Sequence, residues 1–185
     1  MIKIIIAVVA LTVVGIIVLK SIDPSQESAG GNAATTLVSQ NGKNQISCKI
    51  NGEVVHPGTY KLDPNTTLGD LIEVASGETS NADGLAYDTT YLLENGLEFY
   101  IAPKYKSDSI CATDPIKKFN INTATEEEIR DVTGIGSAVA KGIVAYRAGG
   151  NTFRRLEDIK NVSGIGNATF EKLKNSIRLR DEWGS

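Results

Sequence analysis

Two short segments, Gly134-Ile135-Gly136 and Gly164-Ile165-Gly166, decide the fold predicted for this chain. They are offset by 30 residues, and each stands between two apolar stretches, so the chain contains an internal repeat. Each repeat predicts a helix, a tight turn and a second helix. Because one such pair is too small to bury its own apolar face, we expect the two pairs to pack around one core.

The patterns around the two turns indicate four helices. Thr125-Glu126-Glu127-Glu128 provides an N-cap hydroxyl and a carboxylate three residues later, which is the signature of a capping box. Gly149-Gly150 ends the first repeat. The residues predicted to face the core are Ile129, Val132, Val139, Ile143 and Val144 in the first repeat, and Leu156, Ile159, Val162, Phe170, Leu173 and Ile177 in the second, and Tyr146 lies near the end of the second helix.

The Gly-Ile-Gly turns predict a binding site for phosphate. The two glycines permit positive φ and let bare backbone approach a ligand, while the isoleucine between them plugs into the core. The following helix begins at once, so its free N–H groups and positive dipole end face outward. Groups that contact only phosphates position a duplex without specifying bases. The candidate DNA-binding residues are Gly134, Ile135, Gly136, Ser137 and Lys141 in the first repeat, and Gly164, Ile165, Gly166, Asn167, Lys172 and Lys174 in the second.

The charge of the chain is unevenly distributed. The formal net charge of -3 argues against a nucleic-acid partner, but residues 21–113 hold five basic and twelve acidic residues, whereas residues 130–180 hold ten basic and four acidic ones. We therefore expect the two parts to have separate partners. The predicted positive field comes from Lys141, Arg147, Arg154, Arg155, Lys172, Lys174 and Arg178, with a solvated helix face as the alternative for each.

The N-terminal segment predicts a membrane anchor. Ile2 to Leu19 contains one charged residue, Lys3, and is about long enough for one helical crossing of a bilayer. A cleaved signal peptide is the alternative, although its apolar region is usually shorter. The short charged N-terminal tail favours a cytoplasmic end, so the rest of the chain would face outward. Residues 21–44 are rich in Ser, Gly, Asn and Ala and indicate a flexible tether.

The two cysteines leave two interpretations open. An even count on an oxidising outer face allows a disulfide between Cys48 and Cys111. Alternatively, Cys48 is a buried thiol that alternates with Ile46 and Ile50 on one face of a strand, and Cys111 is unpaired. A metal site is not expected, because two cysteines and one distant histidine supply too few ligands.

The middle segment predicts a small α+β module. Gln45 to Ile50 alternates like a half-buried strand, and residues 54–60 indicate a second strand interrupted by Pro-Gly. A helix is predicted to begin at Thr67 and to stop at Gly77, with Leu68, Leu71, Ile72 and Ala75 on one face, and residues 97–102 predict a closing strand. These elements suggest a β-grasp-like sheet.

The middle segment also resembles the SLBB (soluble-ligand-binding β-grasp) family over about sixty residues. The residues that carry the resemblance are Gly52, Val54, Pro57, Gly58 and Tyr60, then Thr67, Leu68, Asp70, Leu71, Ile72 and Gly77, then Asn95-Gly96 and Phe99 to Pro103. The resemblance implies a binding or self-association role. Asn81 to Leu93 departs from the family, in which a short helical segment with more apolar positions is usual.

The C-terminal segment resembles the ComEA competence proteins over about sixty residues. The resemblance rests on Asn120 to Ala124, both Gly-Ile-Gly turns, Ala140, Ile143, Tyr146-Arg147, Phe153, Leu156, Ile159 and Val162. It implies a membrane-anchored, outward-facing chain whose tandem helix-hairpin-helix domain receives extracellular double-stranded DNA for natural transformation. Val139 and Asn167-Ala168-Thr169 are uncharged where the family often has basic residues.

The predicted fold class is a single N-terminal transmembrane helix, a small α+β SLBB-like module and an all-α tandem helix-hairpin-helix domain. The predicted segments are an anchor at 1–20, a tether at 21–44, the SLBB-like module at 45–104, a linker at 105–117 and the DNA-binding domain at 118–180. The predicted partners are double-stranded DNA, the membrane, another copy through the SLBB-like module, and separate channel and uptake proteins. No enzymatic activity and no cofactor are expected, because no catalytic constellation is visible.

Two other functions remain open. One is a surface protein whose SLBB-like module binds glycan, protein or another copy of itself, with purely structural hairpins. The other is an intracellular repair or nuclease component that uses the same fold, against which the predicted anchor argues.

Overall fold

The computed structural model describes residues 44–106, 114–132 and 135–181. The elements in chain order are β1 (Ile46–Gly52), β2 (Gly58–Leu62), α1 (Leu68–Val74), β3 (Glu98–Ile101), β4 (Phe119–Asn120), α2 (Glu126–Arg130), α3 (Ser137–Ala148), a first 3₁₀ helix (Leu156–Asn161), α4 (Asn167–Leu173), a second 3₁₀ helix (Lys174–Ser176) and β5 (Ile177–Arg178).

The first module is a three-stranded sheet with one helix. Its strand order is β2-β1-β3, with β1 antiparallel to β2 and parallel to β3. Helix α1 begins where the Thr67 hydroxyl accepts the Asp70 N–H and the Asp70 carboxylate accepts the Thr67 N–H. Alternation along β1 buries Cys48 and Ile50 against this helix. The module therefore has its own apolar core on one face of the sheet.

Two sequence predictions for this module need adjustment. The second strand was expected over residues 54–60, but β2 begins only at Gly58, because the chain first turns through Pro57 and Val54 pairs with Glu78 as an isolated bridge. The departure segment, Asn81 to Leu93, forms turns and loop and buries Ala82, Asp83 and Tyr87. This segment has a role in packing that its polar sequence did not indicate.

The second module contains the two repeats. Helices α2 and α3 form the first pair, and the predicted capping box is present, with Thr125 and Glu128 exchanging hydrogen bonds at the start of α2. The second pair is a 3₁₀ helix followed by α4. All eleven predicted core positions pack in or against one apolar core. The predicted shared core of the two repeats is therefore present.

The predicted fold class is wrong in two respects. The second module is not all-α, because β4 pairs in parallel with β5 and so joins the beginning of the domain to its end. Among residues 44–106, 114–132 and 135–181, no helix is long and apolar enough to cross a membrane, and residues 1–20, the predicted anchor, lie outside this range together with most of the predicted tether.

The two modules pack directly against each other. Ala86 and Ala102 of the first module belong to the core of the second, and Tyr100 lies against the same core. The Tyr100 hydroxyl donates to Asn175 Oδ1 at 2.8 Å. The Leu85 carbonyl accepts the N–H of Leu179 at 2.8 Å. The two modules therefore share an interface and do not fold as independent domains joined only by a linker.

Candidate nucleic-acid interface

The second hairpin is described completely. The Ile165 side chain is buried, and its N–H donates to the Val162 carbonyl at 3.0 Å. Gly164 adopts a φ of 87°, whereas Gly166 is extended and is the N-cap of α4. The Gly166 carbonyl accepts the Phe170 N–H at 2.9 Å, which is the first bond of that helix. The hairpin thus fixes one apolar plug between two exposed glycines.

The first hairpin repeats this hydrogen-bond pattern. Ile135 is buried and donates to the Val132 carbonyl at 3.2 Å, and Gly136 is the extended N-cap of α3. The Gly136 carbonyl accepts the Ala140 N–H at 3.2 Å. Thr133 and Gly134 lie outside the described residues. The sequence repeat is therefore also a structural repeat at the isoleucine and the second glycine of each turn.

The hairpin glycines leave an open surface. A Cβ placed on Gly136, Gly164 or Gly166 would meet no atom of the chain within 4 Å among the described residues. Glycine permits positive φ at each of these positions, but of the three only Gly164 adopts it. Packing within the chain does not explain the absence of side chains at Gly136 and Gly166.

The two helices after the hairpins differ from α1 and α2 at their first turns. Helices α1 and α2 have capping boxes and acidic residues in that turn. Within the described residues, α3 and α4 have no side-chain cap and no acidic residue in the first turn, and Ser137 and Asn167 are exposed there. No side chain caps their first N–H groups, although the Val139 N–H donates to the Gly136 carbonyl at 3.0 Å. Uncapped N–H groups at a helix start suit an oxyanion.

The predicted lysines fall into two groups. Lys141 and Lys172 are exposed and form no ion pair with any described residue. Lys174 instead lies 2.6 Å from Glu171 Oε2 and 4.1 Å from the centre of the Tyr100 ring, so it is occupied at the contact between the modules. Only the first group extends the open surface of the hairpins.

Several arginines of the predicted positive field have structural contacts instead. Arg147 donates to the Ile121 and Ala124 carbonyls at 3.1 and 2.6 Å. Arg154 pairs with Asp88 at 3.1 Å, and Arg155 pairs with Asp158 at 3.0 Å. These guanidinium groups are used in contacts within the fold, at the ends of the helix pairs that lie opposite the hairpins. Backbone amides therefore make up a larger share of the candidate site than the number of cations suggested.

A buried charge cluster joins the two modules. Asp83, in the departure segment, lies 2.8 Å from Lys118 Nζ and 2.9 Å from Arg178 Nε, and the side chains of Asp83 and Lys118 are each 2% exposed. Burial by itself would raise the pKa of the Asp83 carboxyl, but the two cations outweigh it and hold the pKa below its usual value. Burial lowers the pKa of Lys118, and Asp83 opposes that shift. This cluster was missed because its members are 35 and 60 or more residues apart.

A groove that the sequence did not indicate runs between the modules. Its volume is about 450 Å³, and it lies between β1, β3 and the second helix pair. Its lining includes Asn51, Tyr100, Glu157, Lys160, Asn167 and Lys174. Burial raises the pKa of the Glu157 carboxyl to about 7, although its own N–H, Arg155, the Tyr100 N–H and Lys160 lower it.

Of the two cysteines, the structure describes Cys48. Cys48 is a buried free thiol that donates to the Glu94 carbonyl at 3.2 Å, and burial raises its pKa. This agrees with the buried-thiol alternative. Cys111 lies outside the described residues, so a bond between the two cysteines stays a prediction. The described residues contain no cluster of potential metal ligands.

Comparisons with known proteins match both modules. A family model described as "Helix-hairpin-helix motif" matches residues 114–178, and one described as "SLBB domain" matches residues 48–86. The chain is 33% identical over 175 residues to "ComE operon protein 1" of Bacillus subtilis (strain 168), covering 87% of this chain and 85% of that protein.

Shorter similarities involve proteins of other architecture. The human "Endonuclease/exonuclease/phosphatase family domain-containing protein 1" is 44% identical over 69 residues, which are 37% of this chain and 12% of that protein. An "Uncharacterized protein" of Haemophilus influenzae is 42% identical over 81 residues, which are 43% of this chain and 64% of that protein. These matches cover too little of either partner to transfer an activity.

An SLBB module packed against two helix-hairpin-helix units with open, uncapped turns defines a DNA-binding protein of the competence class. The chain belongs to the ComEA family of competence DNA receptors. The family resemblance predicted from the sequence is thereby confirmed.

Proposed function

We propose that the chain binds double-stranded DNA without sequence preference, with one phosphate held at each hairpin, during DNA uptake in natural transformation. The main support is that the two equivalent turns are each followed by a helix whose first N–H groups have no side-chain cap among the described residues. The proposed contacts are the predicted site residues Gly134 to Ser137, Gly164 to Asn167, Lys141 and Lys172. We propose that Lys174 serves module packing instead, because its ammonium group is already paired.

The nature of these contacts supports sequence tolerance. Backbone amides and lysine ammonium groups contact phosphate oxygens, which are the same at every base pair. The two free lysines at the hairpins contribute about -2 to the slope of log K against log salt, which is a modest salt dependence. The affinity of one molecule is then low at physiological salt. Several copies on one duplex would raise the overall affinity through avidity.

The test measures binding of the full chain to unrelated duplexes of equal length at low salt. We expect equal affinities for all sequences. Gly136→Val and Gly166→Val should each lower the affinity at least tenfold, because a branched side chain would fill the space that a phosphate needs. Gly84→Val is the matched control, since Gly84 is an exposed glycine of the first module and a Cβ there meets only the Tyr87 hydroxyl, at 3.9 Å.

Folding of the variants is measured separately by urea unfolding. Both hairpin variants should unfold at the urea concentration of the parent, because a Cβ at these sites meets nothing within 4 Å. Unchanged DNA affinity in folded hairpin variants would refute the proposal. Strong preference for one duplex sequence would refute the sequence-tolerant part of it.

The proposal places the described modules outside the cell, where incoming DNA is met. The role of the family in DNA uptake supports this location. A tag added after Ser185 should react with antibody on intact cells. A tag that reacts only after the cells are permeabilised would contradict it. We also propose that the chain is not an enzyme and that separate channel and uptake proteins move the DNA.

Self-association through the SLBB-like module is a second candidate function. The observation that favours it is that β2 is an edge strand of the sheet among the described elements. An edge strand presents unpaired N–H and C=O groups to a second strand. If self-association were the whole function, Gly136→Val and Gly166→Val would leave transformation of cells unchanged, and sedimentation of the purified chain would show a concentration-dependent increase in mass.

A further inference from the structure

The groove between the modules leads away from the second hairpin. Asn167, the first residue of α4, follows Gly166 and lines one part of the groove. Lys174, after the last turn of α4, lines another part and lies over the Tyr100 ring. A groove that follows α4 from its first residue therefore connects the proposed phosphate site with the sheet of the first module.

The outer face of that sheet is polar and partly exposed. The residues on this face are Ser47, Lys49 and Asn51 of β1, Thr59 and Lys61 of β2, and Glu98 and Tyr100 of β3, because their neighbours Cys48, Ile50, Tyr60, Leu62, Phe99 and Ile101 point into the core. Asn51 is paired directly with Tyr100, so the face continues without interruption from the groove toward Lys61. About 16 Å separates Tyr100 from Lys61 if strands are 4.8 Å apart and rise 3.3 Å per residue.

The acidic residues of this surface are compensated by neighbours. Glu98 lies 3.2 Å from Lys49, and Glu171 lies 2.6 Å from Lys174. The Glu157 carboxylate accepts the N–H of Tyr100, and burial raises its pKa to about 7, so part of its charge is absent near neutral pH. Within the described residues, Lys160 and Lys61 form no ion pair, and Lys160 lies 4.8 Å from the centre of the Phe170 ring.

The exposed acidic residues of helix α1 lie on the opposite side of the sheet. Helix α1 packs on the core face through Leu68, Leu71 and Ile72, so its exposed residues Asp70 and Glu73 are separated from the outer face by the sheet itself. Glu53 is on the groove side, because its charge helps to raise the pKa of Tyr100, and its carboxylate accepts hydrogen bonds from Thr79 and Asn81. Lys61 and Lys160 are the cations that suit this side to a polyanion.

We propose that DNA held at the second hairpin continues over this groove and the outer sheet face, so that the SLBB-like module forms a second phosphate-binding surface through Asn51, Lys160 and Lys61. This inference rests on the proposed function, since the hairpin fixes the DNA from which the contact continues. The occupant is the backbone of the same duplex. Its phosphates meet the lysine ammonium groups and the Asn51 amide, which carry no base specificity.

The experiment compares charge reversals in the full chain on short and long duplexes. Lys61→Glu and Lys160→Glu should each lower the affinity for a duplex of about thirty base pairs roughly fivefold to tenfold, and each should reduce the salt slope by about 1. On the shortest duplex that the hairpins still bind, Lys61→Glu should have little effect, because that DNA does not reach β2.

Lys104→Glu is the control for net charge, since Lys104 is exposed, changes the total charge equally and does not line the groove. Lys160→Gln checks that loss of the ammonium group, rather than repulsion by the new carboxylate, lowers binding. It should give a smaller loss in the same direction. Urea unfolding of each variant confirms that the chain remains folded.

The outcomes separate this inference from the proposed function. If Gly166→Val weakens binding but Lys61→Glu and Lys160→Glu behave like Lys104→Glu on long duplexes, the sheet surface is refuted and the hairpin site stands. If the unsubstituted chain binds no duplex, the proposed function fails, and this inference fails with it. A loss that is the same for short and long duplexes would also overturn it, because the predicted contact lies beyond the hairpins.

Discussion

Gly164 and Gly166 are two residues apart but have different reasons to be glycine. Gly164 has a φ of 87°, which an L residue adopts only with strain, whereas Gly166 is extended at -98°. Conformation therefore accounts for the first glycine. The open space in front of the second is needed only if a ligand approaches.

This difference predicts that replacement by alanine destabilises the chain at Gly164 but not at Gly166. Gly164→Ala should lower the free energy of unfolding by about 1–2 kcal/mol, because it forces an alanine into the left-handed region. Gly166→Ala, the matched control, should change it by less than about 0.5 kcal/mol. Urea unfolding measures both values. Equal losses for the two variants would show that backbone conformation does not distinguish these positions.

Glu157 predicts a pH dependence of stability. Its pKa is raised from 4.5 to about 7 in the folded chain, so the folded state binds the proton more tightly than the unfolded state does. Stability should therefore fall as the pH rises from about 4.5 to about 7, by about 3 kcal/mol at most. Glu157→Gln cannot lose a proton and should remove this part of the pH dependence.

Urea unfolding at several pH values between 4 and 8 measures the effect of Glu157. Glu94→Gln, at an exposed position of the first module, is the control and should keep the pH dependence of the parent. Parallel stability curves for the parent and Glu157→Gln would contradict the raised pKa.

At the scale of elements, helix starts divide into capped and open ones. Helix α2 begins at a capping box formed by Thr125 and Glu128, whereas α3 and α4 begin at glycine without a side-chain cap among the described residues. A capping box satisfies backbone donors within the chain. An open start leaves those donors to solvent or to a ligand, so only the capped start contributes side-chain capping to stability.

Thr125→Ala tests the stabilising role of the capped start. We expect the free energy of unfolding to fall by about 1 kcal/mol, because the Glu128 N–H loses its side-chain acceptor. DNA affinity should stay unchanged at a temperature where the variant is folded. Thr152→Ala at an exposed loop position is the control. A loss of DNA affinity in folded Thr125→Ala would mean that α2 has a direct part in binding.

At the scale of the whole molecule, the Asp83 cluster ties the modules together. Asp83→Ala would leave Lys118 and Arg178 without their shared carboxylate in a buried site. Removing one partner of a buried ion pair typically costs about 3–5 kcal/mol. We therefore expect a loss of this order in urea unfolding, against little change for Asp63→Ala at an exposed position.

A second substitution separates charge from packing at this contact. Lys118→Met in the Asp83→Ala background removes one uncompensated cation and should restore part of the lost stability. No recovery would show that Asp83 acts through packing alone. Because the pKa of Asp83 is lowered in the folded chain, its contribution should be present above its unfolded pKa and lost as the pH falls through the folded one.

The sequence by itself determined the features that depend on neighbouring residues. The capping box at Thr125, the helix that begins after Thr67, the buried isoleucine plugs and the strand alternation around Cys48 follow from local hydrogen bonds and periodicity, and the structure contains them. The same local patterns identified the family. They did not distinguish an α-helix from a 3₁₀ helix at Leu156–Asn161, where the apolar spacing fits both.

Only the tertiary structure decided which partners the charged residues have. Arg154, Lys174 and Arg178 look like parts of a DNA-binding face in the sequence, but the packing of the first module pairs them with Asp88, Tyr100 and Asp83. Such partners are brought together by the docking of distant segments, which no local pattern encodes. For the same reason the parallel pairing of β4 with β5, which closes the domain, was not apparent until the ends of the repeat were brought side by side.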